Sequence, residues 1–150
     1  MRYLGVDVGK RRLGLAISDP LGWTARGLET IDCQEHNWEE IWQKIRELTD
    51  KWEIGQVVVG LPKNMNGTIG PQAQNAEDFA KGLARALPPQ VGVVMWDERL
   101  STVAAERGLI EADLSRQRRK HIIDQVAAAM ILEGYLRYQK NVTRGVKEDE

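Results

Sequence analysis

Tyr3-Leu4-Gly5-Val6-Asp7-Val8-Gly9-Lys10-Arg11-Arg12-Leu13-Gly14-Leu15-Ala16-Ile17-Ser18 decides the fold. Two short apolar runs, Tyr3 to Val8 and Leu13 to Ser18, flank a polar turn at Gly9-Lys10-Arg11-Arg12, and Asp19-Pro20 stops the second. A break that short joins antiparallel strands. A third strand fits Thr24 to Ile31, so the chain opens as three antiparallel hairpin strands, with Asp7 near the end of the first.

Beyond this unit the period changes. Trp38, Ile41, Trp42, Ile45, Leu48 and Trp52 recur at helical spacing, which predicts one helix with these side chains on its core face. Asn37 can cap it, with Glu40 three residues on, as in a capping box. Ile54 to Leu61, with Val57-Val58-Val59, reads as a buried strand. Pro71 suits the first turn of a helix whose apolar face is Ala73, Ala76, Phe79, Ala80, Leu83 and Leu87, ended by Pro88-Pro89. Val91 to Trp96 is another buried strand, running into Asp97-Glu98-Arg99. A helix from Ser101 to about Ala112 follows, then a basic loop from Ser115 to Lys120, then a long helix from about Ile122 to Tyr138. The order β-β-β-α-β-α-β-α-α predicts an α/β fold: a mixed five-stranded sheet of three hairpin strands and then alternating helix and strand, flanked by helices. Residues 1–139 are expected to form one domain, and Lys140 to Glu150 a loose polar tail.

Composition narrows the classes. The 150 residues are 42% hydrophobic and 29% charged, which excludes wholesale disorder, a collagen-like repeat and a membrane span. A single cysteine, Cys33, and no leader-like apolar stretch in Met1 to Lys10 imply a reducing, cytoplasmic setting. With 21 Lys and Arg against 22 Asp and Glu, any nucleic-acid surface must come from local clustering of charge.

Gly5-x-x-x-Gly9-Lys10-Arg11 is one residue short of a phosphate loop and has Arg where a magnesium-binding hydroxyl should stand. Two histidines and one cysteine argue against a His/Cys zinc site. What remains is acids at element ends: Asp7, the pair Asp97-Glu98, and Asp124 opening the last helix. Ligands of open α/β sheets sit at the carboxyl ends of strands. If the last helix packs near the first strand, the carboxylates meet, and a divalent cation relieves their repulsion. Hard oxygen ligands in small number suit Mg²⁺ or Mn²⁺, and two such ions suit phosphodiester hydrolysis. Each acid also has a local explanation: Asp7 as a turn residue, Glu98 as a partner of Arg99, and Asp124 as a favourable charge in a helix's first turn. Two basic runs flank these acids: Lys10, Arg11 and Arg12 on one side, and Arg116, Arg118, Arg119 and Lys120 on the other. A polyanion approaching carboxylates needs such screening.

At these residues the chain resembles the YqgF/RuvX family of bacterial pre-16S rRNA nucleases, which are also described as Holliday-junction-resolvase-like. The matching segments are Gly5-Val6-Asp7-Val8-Gly9 with Arg12 to Asp19, Gly60-Leu61-Pro62-Lys63-Asn64-Met65-Asn66-Gly67, Asp97-Glu98-Arg99-Leu100-Ser101-Thr102, and Ile123 to Ala129 with Ile131-Leu132. They occur in family order at family spacing and reach about Tyr138. The resemblance implies a ribonuclease H-like fold and maps the catalytic, metal-holding acids onto Asp7, Glu98 and Asp124, with Asp97 able to share or take the role of Glu98. It implies that Lys63 and Asn64 lie in a loop at the substrate face, and that Arg99 and Ser101 hold phosphate or order the acids. Lys10 stands where the family often carries a small hydroxyl residue. The expected activity is a metal-dependent endonuclease of structured nucleic acid, acting in 5′-end processing of pre-16S rRNA. The alternatives are a resolvase of four-way DNA junctions and a non-catalytic nucleic-acid-binding factor of ribosome assembly. Nucleic acid, not membrane, is the expected partner.

Overall fold

The computed structural model describes residues 1–100 and 116–148, with side chains for 1–100 and 122–142. The strands β1 (Arg2–Val8), β2 (Arg12–Ser18) and β3 (Ala25–Asp32) form the expected meander. Helix α1 (Trp38–Lys51), β4 (Ile54–Leu61), α2 (Pro71–Ala86) and β5 (Gly92–Asp97) follow, then a 3-10 turn (Glu98–Leu100) and helix α3 (Arg116–Glu148). The sheet order is β3-β2-β1-β4-β5. β1 is antiparallel to β2 and parallel to β4, and β4 is parallel to β5. The sheet is thus mixed and five-stranded, with β1 at its centre.

Alternation along the strands divides the core in two. Leu4, Val6, Leu13, Leu15, Val57 and Val59 face α1 and α2, where they meet Ile41, Ile45, Phe79 and Leu83. Ala16, Val58 and Trp96 face α3 through Ala127, Ala128, Ile131, Leu132 and Tyr135. The helix α3 needs a shallow seat, because a Cβ on Gly5 would come within 2.9 Å of both the Ala128 carbonyl oxygen and the Leu132 Cβ.

Local chemistry explains the element ends. Asn37 Oδ1 accepts from the Glu40 N–H at 2.9 Å, capping α1 as its sequence predicts, while the Glu40 carboxylate meets His36 Nδ1 at 3.0 Å. Asp19 builds the β2–β3 turn by accepting from the Leu21, Trp23 and Thr24 amides. Those bonds, led by that from Thr24, hold its carboxyl below the ordinary range.

Three expectations change. The tryptophans of α1 are not uniformly core: Ile41 and Ile45 are buried, but Trp38 is 52% exposed. Helical spacing assigns a face, and Trp38 stands in the first turn, where that face reaches the rim. The basic segment is not a loop from residue 116 onward, since Arg116, Arg118, Arg119 and Lys120 already belong to α3. Arginine, glutamine and lysine are good helix formers, and no glycine or proline interrupts them. Past Tyr138 the helix continues to Glu148, through most of the segment read as a tail. Polarity decides which way a helical face points, not whether the backbone is helical. The helix expected from Ser101 to Ala112 lies outside the described residues.

Candidate active site

Asp7 is buried at 7% exposure near the C-terminal end of the central strand. Its cross-strand partner in β2 is Gly14. On its other side, the β1–β4 register (Gly5 with Val58, Val6 with Val59) sets Asp7 beside Gly60. Neighbouring strands lie roughly 5 Å apart, and cross-strand partners point to the same face. Asp7 therefore faces α3 with a bare backbone on either side.

Each glycine lies beneath another acid. A Cβ on Gly14 would fall 1.9 Å from the Asp124 carbonyl oxygen, so α3 crosses β2 at Asp124 in direct backbone contact. A Cβ on Gly60 would fall 2.9 Å from Glu98 Oε1, so this carboxylate folds back over β4. The central strand, the turn after β5 and the last helix thus bring Asp7, Glu98 and Asp124 to one face and one end of the sheet. At position 14 only glycine leaves room for the approach, whereas at position 60 the near atoms are side-chain ends, Ile131 Cδ1 at 2.6 Å and Glu98 Oε1 at 2.9 Å.

The three acidic residues share this end of the sheet without forming a finished ligand set. Among the described residues no three His, Cys, Asp or Glu side chains are gathered as a metal cluster. Asp124 Oδ2 is engaged by Arg12 Nε at 2.9 Å, across 112 residues of sequence. The guanidinium expected to meet phosphate here orients Asp124.

Asp97 and Glu98, open alternatives in the sequence, part company in space. Asp97 is held by Arg99: Nη2 donates to Oδ2 at 2.7 Å, Nε reaches both carboxylate oxygens at 3.1 and 3.2 Å, and the Arg99 amide donates to Oδ1 at 3.0 Å. The Arg99 side-chain bonds, helped by Lys63, hold the Asp97 carboxyl below its ordinary value of 3.8. Arg99 Nη1 also donates to the Met65 carbonyl at 3.3 Å, so the pair ties the end of β5 to the β4–α2 loop. Asn64 shapes that loop: its Nδ2 donates to Thr68 Oγ1 at 2.9 Å, and its carbonyl accepts from the Gly67 amide at 2.8 Å. Lys63 is half-buried, Lys10 is exposed on the β1–β2 turn, and Ser101 lies outside the described residues. Arg116, Arg118, Arg119 and Lys120 are placed by their backbone alone, within the two turns of α3 that precede Asp124.

A depressed carboxyl contributes stability that is full above its ordinary range and is lost as pH falls through its lower, folded value. Asp97→Asn should therefore loosen the β4–α2 loop at neutral pH, and the wild type should loosen in the same way below about pH 4. The pair is solvent-accessible, so the effect is modest, at most about a fivefold rise in amide exchange at residues 64–68. Unchanged exchange in the variant would remove the clamp.

The sequence reading assigns no packing role to Gly14, within a strand, or to Gly60, at a strand end before a loop, although glycine inside a strand pattern is itself a sign of close backbone approach. No local sign links Arg12 to Asp124.

A protein-family model described as RuvX, Holliday junction resolvase, matches residues 1–138. Proteins of Bacillus thuringiensis and Bacillus cereus named "Putative pre-16S rRNA nuclease" are 54% identical over 136 residues, which is 91% of this chain and 98% of theirs. Among solved structures, RuvC of T. thermophilus in complex with a Holliday junction substrate superposes with a TM-score of 0.53 at 16% identity, covering 92% of this chain and 96% of that one. The fowlpox virus Holliday junction resolvase gives 0.51 at 18% identity, covering 92% and 99%. At such identities the structures establish the shared ribonuclease H-like fold, and the extent of the family match and of the close relatives places this chain in the RuvX family.

Proposed function

We propose that the chain is a metal-dependent endonuclease of structured nucleic acid, acting on the 5′ end of precursor 16S rRNA. One observation carries the reading: Asp7 lies between two glycines, Gly14 under the Asp124 backbone and Gly60 beside the Glu98 carboxylate, so three acidic residues share one end of one sheet face. The donor set fits the Mg²⁺ or Mn²⁺ expected of this fold, being all hard oxygen with no thiolate or imidazole. Asp7, Glu98 and Asp124 would hold the ions. A bound divalent ion would activate water and stabilise charge on the phosphate.

The chain's own residues do the rest. Arg12 aims Asp124, and Arg99 with Asp97 fixes the loop that carries Lys63 and Asn64. Lys10 and Arg11 stand exposed at the rim, where cations draw in the phosphate backbone. Arg116, Arg118, Arg119 and Lys120 would extend that rim along the start of α3. The names of the close relatives favour precursor rRNA as the substrate. The family description favours a second reading, four-way DNA junctions.

The test sets precursor rRNA with its 5′ leader beside junction DNA, each with Mg²⁺, with Mn²⁺ and with chelator. Cutting of the RNA that stops on chelation is expected. Preferential cutting of the junction would move the assignment to the second reading. Binding without cutting in either metal would make the protein a non-catalytic assembly factor, and cutting in chelator would end the metal proposal.

A further inference from the structure

At the same end of the sheet as the acids, but on its other face, a cavity of about 540 Å³ opens beside the β1–β2 turn. Its walls include Trp38, Trp42 and Phe79, and Lys10, Asn75 and Asp78 give it a polar rim. The volume lies in the range of small-ligand sites.

The aromatic wall is built, not incidental. Trp38 stacks on Trp42 with ring centres 5.2 Å apart and planes 20° from parallel, and Trp42 rests on Phe79 at 5.0 Å. Trp42 is in turn seated against Gly82, where a Cβ would fall 2.6 Å from its ring. Trp38 is thereby backed by fixed rings yet stays half open to solvent. The other exposed tryptophan, Trp23, has the Lys140 ammonium 3.8 Å over its ring.

The cavity meets the candidate active site only at the β1–β2 turn, the acids lying on the opposite face of the sheet. Gly9 and Lys10 line it, and Asp7 precedes Gly9 by two residues along the same strand end. A polynucleotide that leaves Asp7 and passes around this end of the sheet meets the opening just beyond the β1–β2 turn. Charge sets the polarity of entry: Lys10 favours phosphate, whereas Asp78, with Asn75, offers oxygen acceptors suited to the amino and imino groups of a base. Gln74 Nε2 holds Asp78 Oδ1 at 3.0 Å, which fixes that carboxylate.

We propose that this cavity receives an unpaired base of the substrate, stacked on Trp38, with Lys10 on its phosphate and Asn75 and Asp78 on its polar edge. The proposal rests on the nucleic-acid reading above and adds to it a preference for a single-stranded extension beside the cut.

The test uses the full chain with two versions of one duplex, one blunt and one with an unpaired extension of a few nucleotides. Base–aromatic stacking predicts that Trp38→Ala weakens binding of the extended duplex roughly 5- to 150-fold, leaves the blunt duplex unchanged, and that Trp38→Phe restores most of the loss. Cys33, the single cysteine, lines the cavity, so thiol alkylation reads its occupancy without reference to cleavage. The extended duplex should slow alkylation and the blunt one should not. Equal weakening of both duplexes, weakening of neither, or unprotected Cys33 would overturn the proposal while leaving nuclease activity untouched. Protection by a free mononucleotide but not by the extension would make the cavity a small-molecule site and overturn it too. Failure of the wild type to bind either duplex would remove the nucleic-acid reading as well.

Discussion

Asp7→Asn is expected to abolish cleavage while leaving the protein folded and able to bind nucleic acid. Asparagine keeps the size and much of the hydrogen-bonding capacity of the 7%-exposed aspartate, so the packing against α3 survives. What disappears is the charge at the centre of the acidic group. Removing an essential catalytic group commonly costs three orders of magnitude or more in turnover. Single-turnover cleavage of precursor rRNA in Mg²⁺, run beside a binding titration and a thermal melt, separates these effects. Cleavage at the wild-type rate would take Asp7 out of the mechanism.

The second large effect lies in a residue with no side chain. Gly14→Ala places a methyl group 1.9 Å from the Asp124 carbonyl oxygen and 2.3 Å from its carbon. Both are backbone atoms, so no rotamer change relieves the clash, and either α3 lifts or β2 bends. Overpacking of this kind costs up to about 3 kcal/mol and occasionally more, or roughly 6–12 °C in melting temperature at this chain length. Activity should fall further than the folded fraction, since the displaced backbone carries Asp124. Gly92→Ala is the control: a Cβ there meets only the Gln56 side chain, at 3.6 Å, and stability should change by no more than about 0.5 kcal/mol. Equal melting temperatures for the two variants would refute the close crossing of α3 over β2.

Where alternation and period speak, the sequence is legible. The hairpin strands, the cap at Asn37 and the two valine-rich strands stand where polarity and turn residues put them, because each is set by neighbours within a few positions. Trp38 shows the limit: its spacing is that of a core face, yet its place in the first turn leaves it half exposed at the rim. The start of α3 was hidden for another reason. A run of four cations reads as a solvated loop, although its residue types favour helix.

Acids at strand ends could be found from order and chemistry, but the different surroundings of Asp97 and Glu98 are visible only in space. Arg99, two positions after Asp97, captures that carboxylate, and Glu98 is left to fold over Gly60. The partnership of Arg12 with Asp124 spans most of the chain, so nothing nearby announces it. Their pairing has to be seen.

That separation carries a kinetic consequence. Joining points 112 residues apart costs entropy that grows with the logarithm of the intervening length, and architectures rich in such remote pairings form slowly. The opening meander can form from neighbours alone, but it holds only Asp7 of the three acids. Competence for phosphodiester chemistry should consequently return no earlier than the docking of the final helix when denatured protein is allowed to renature.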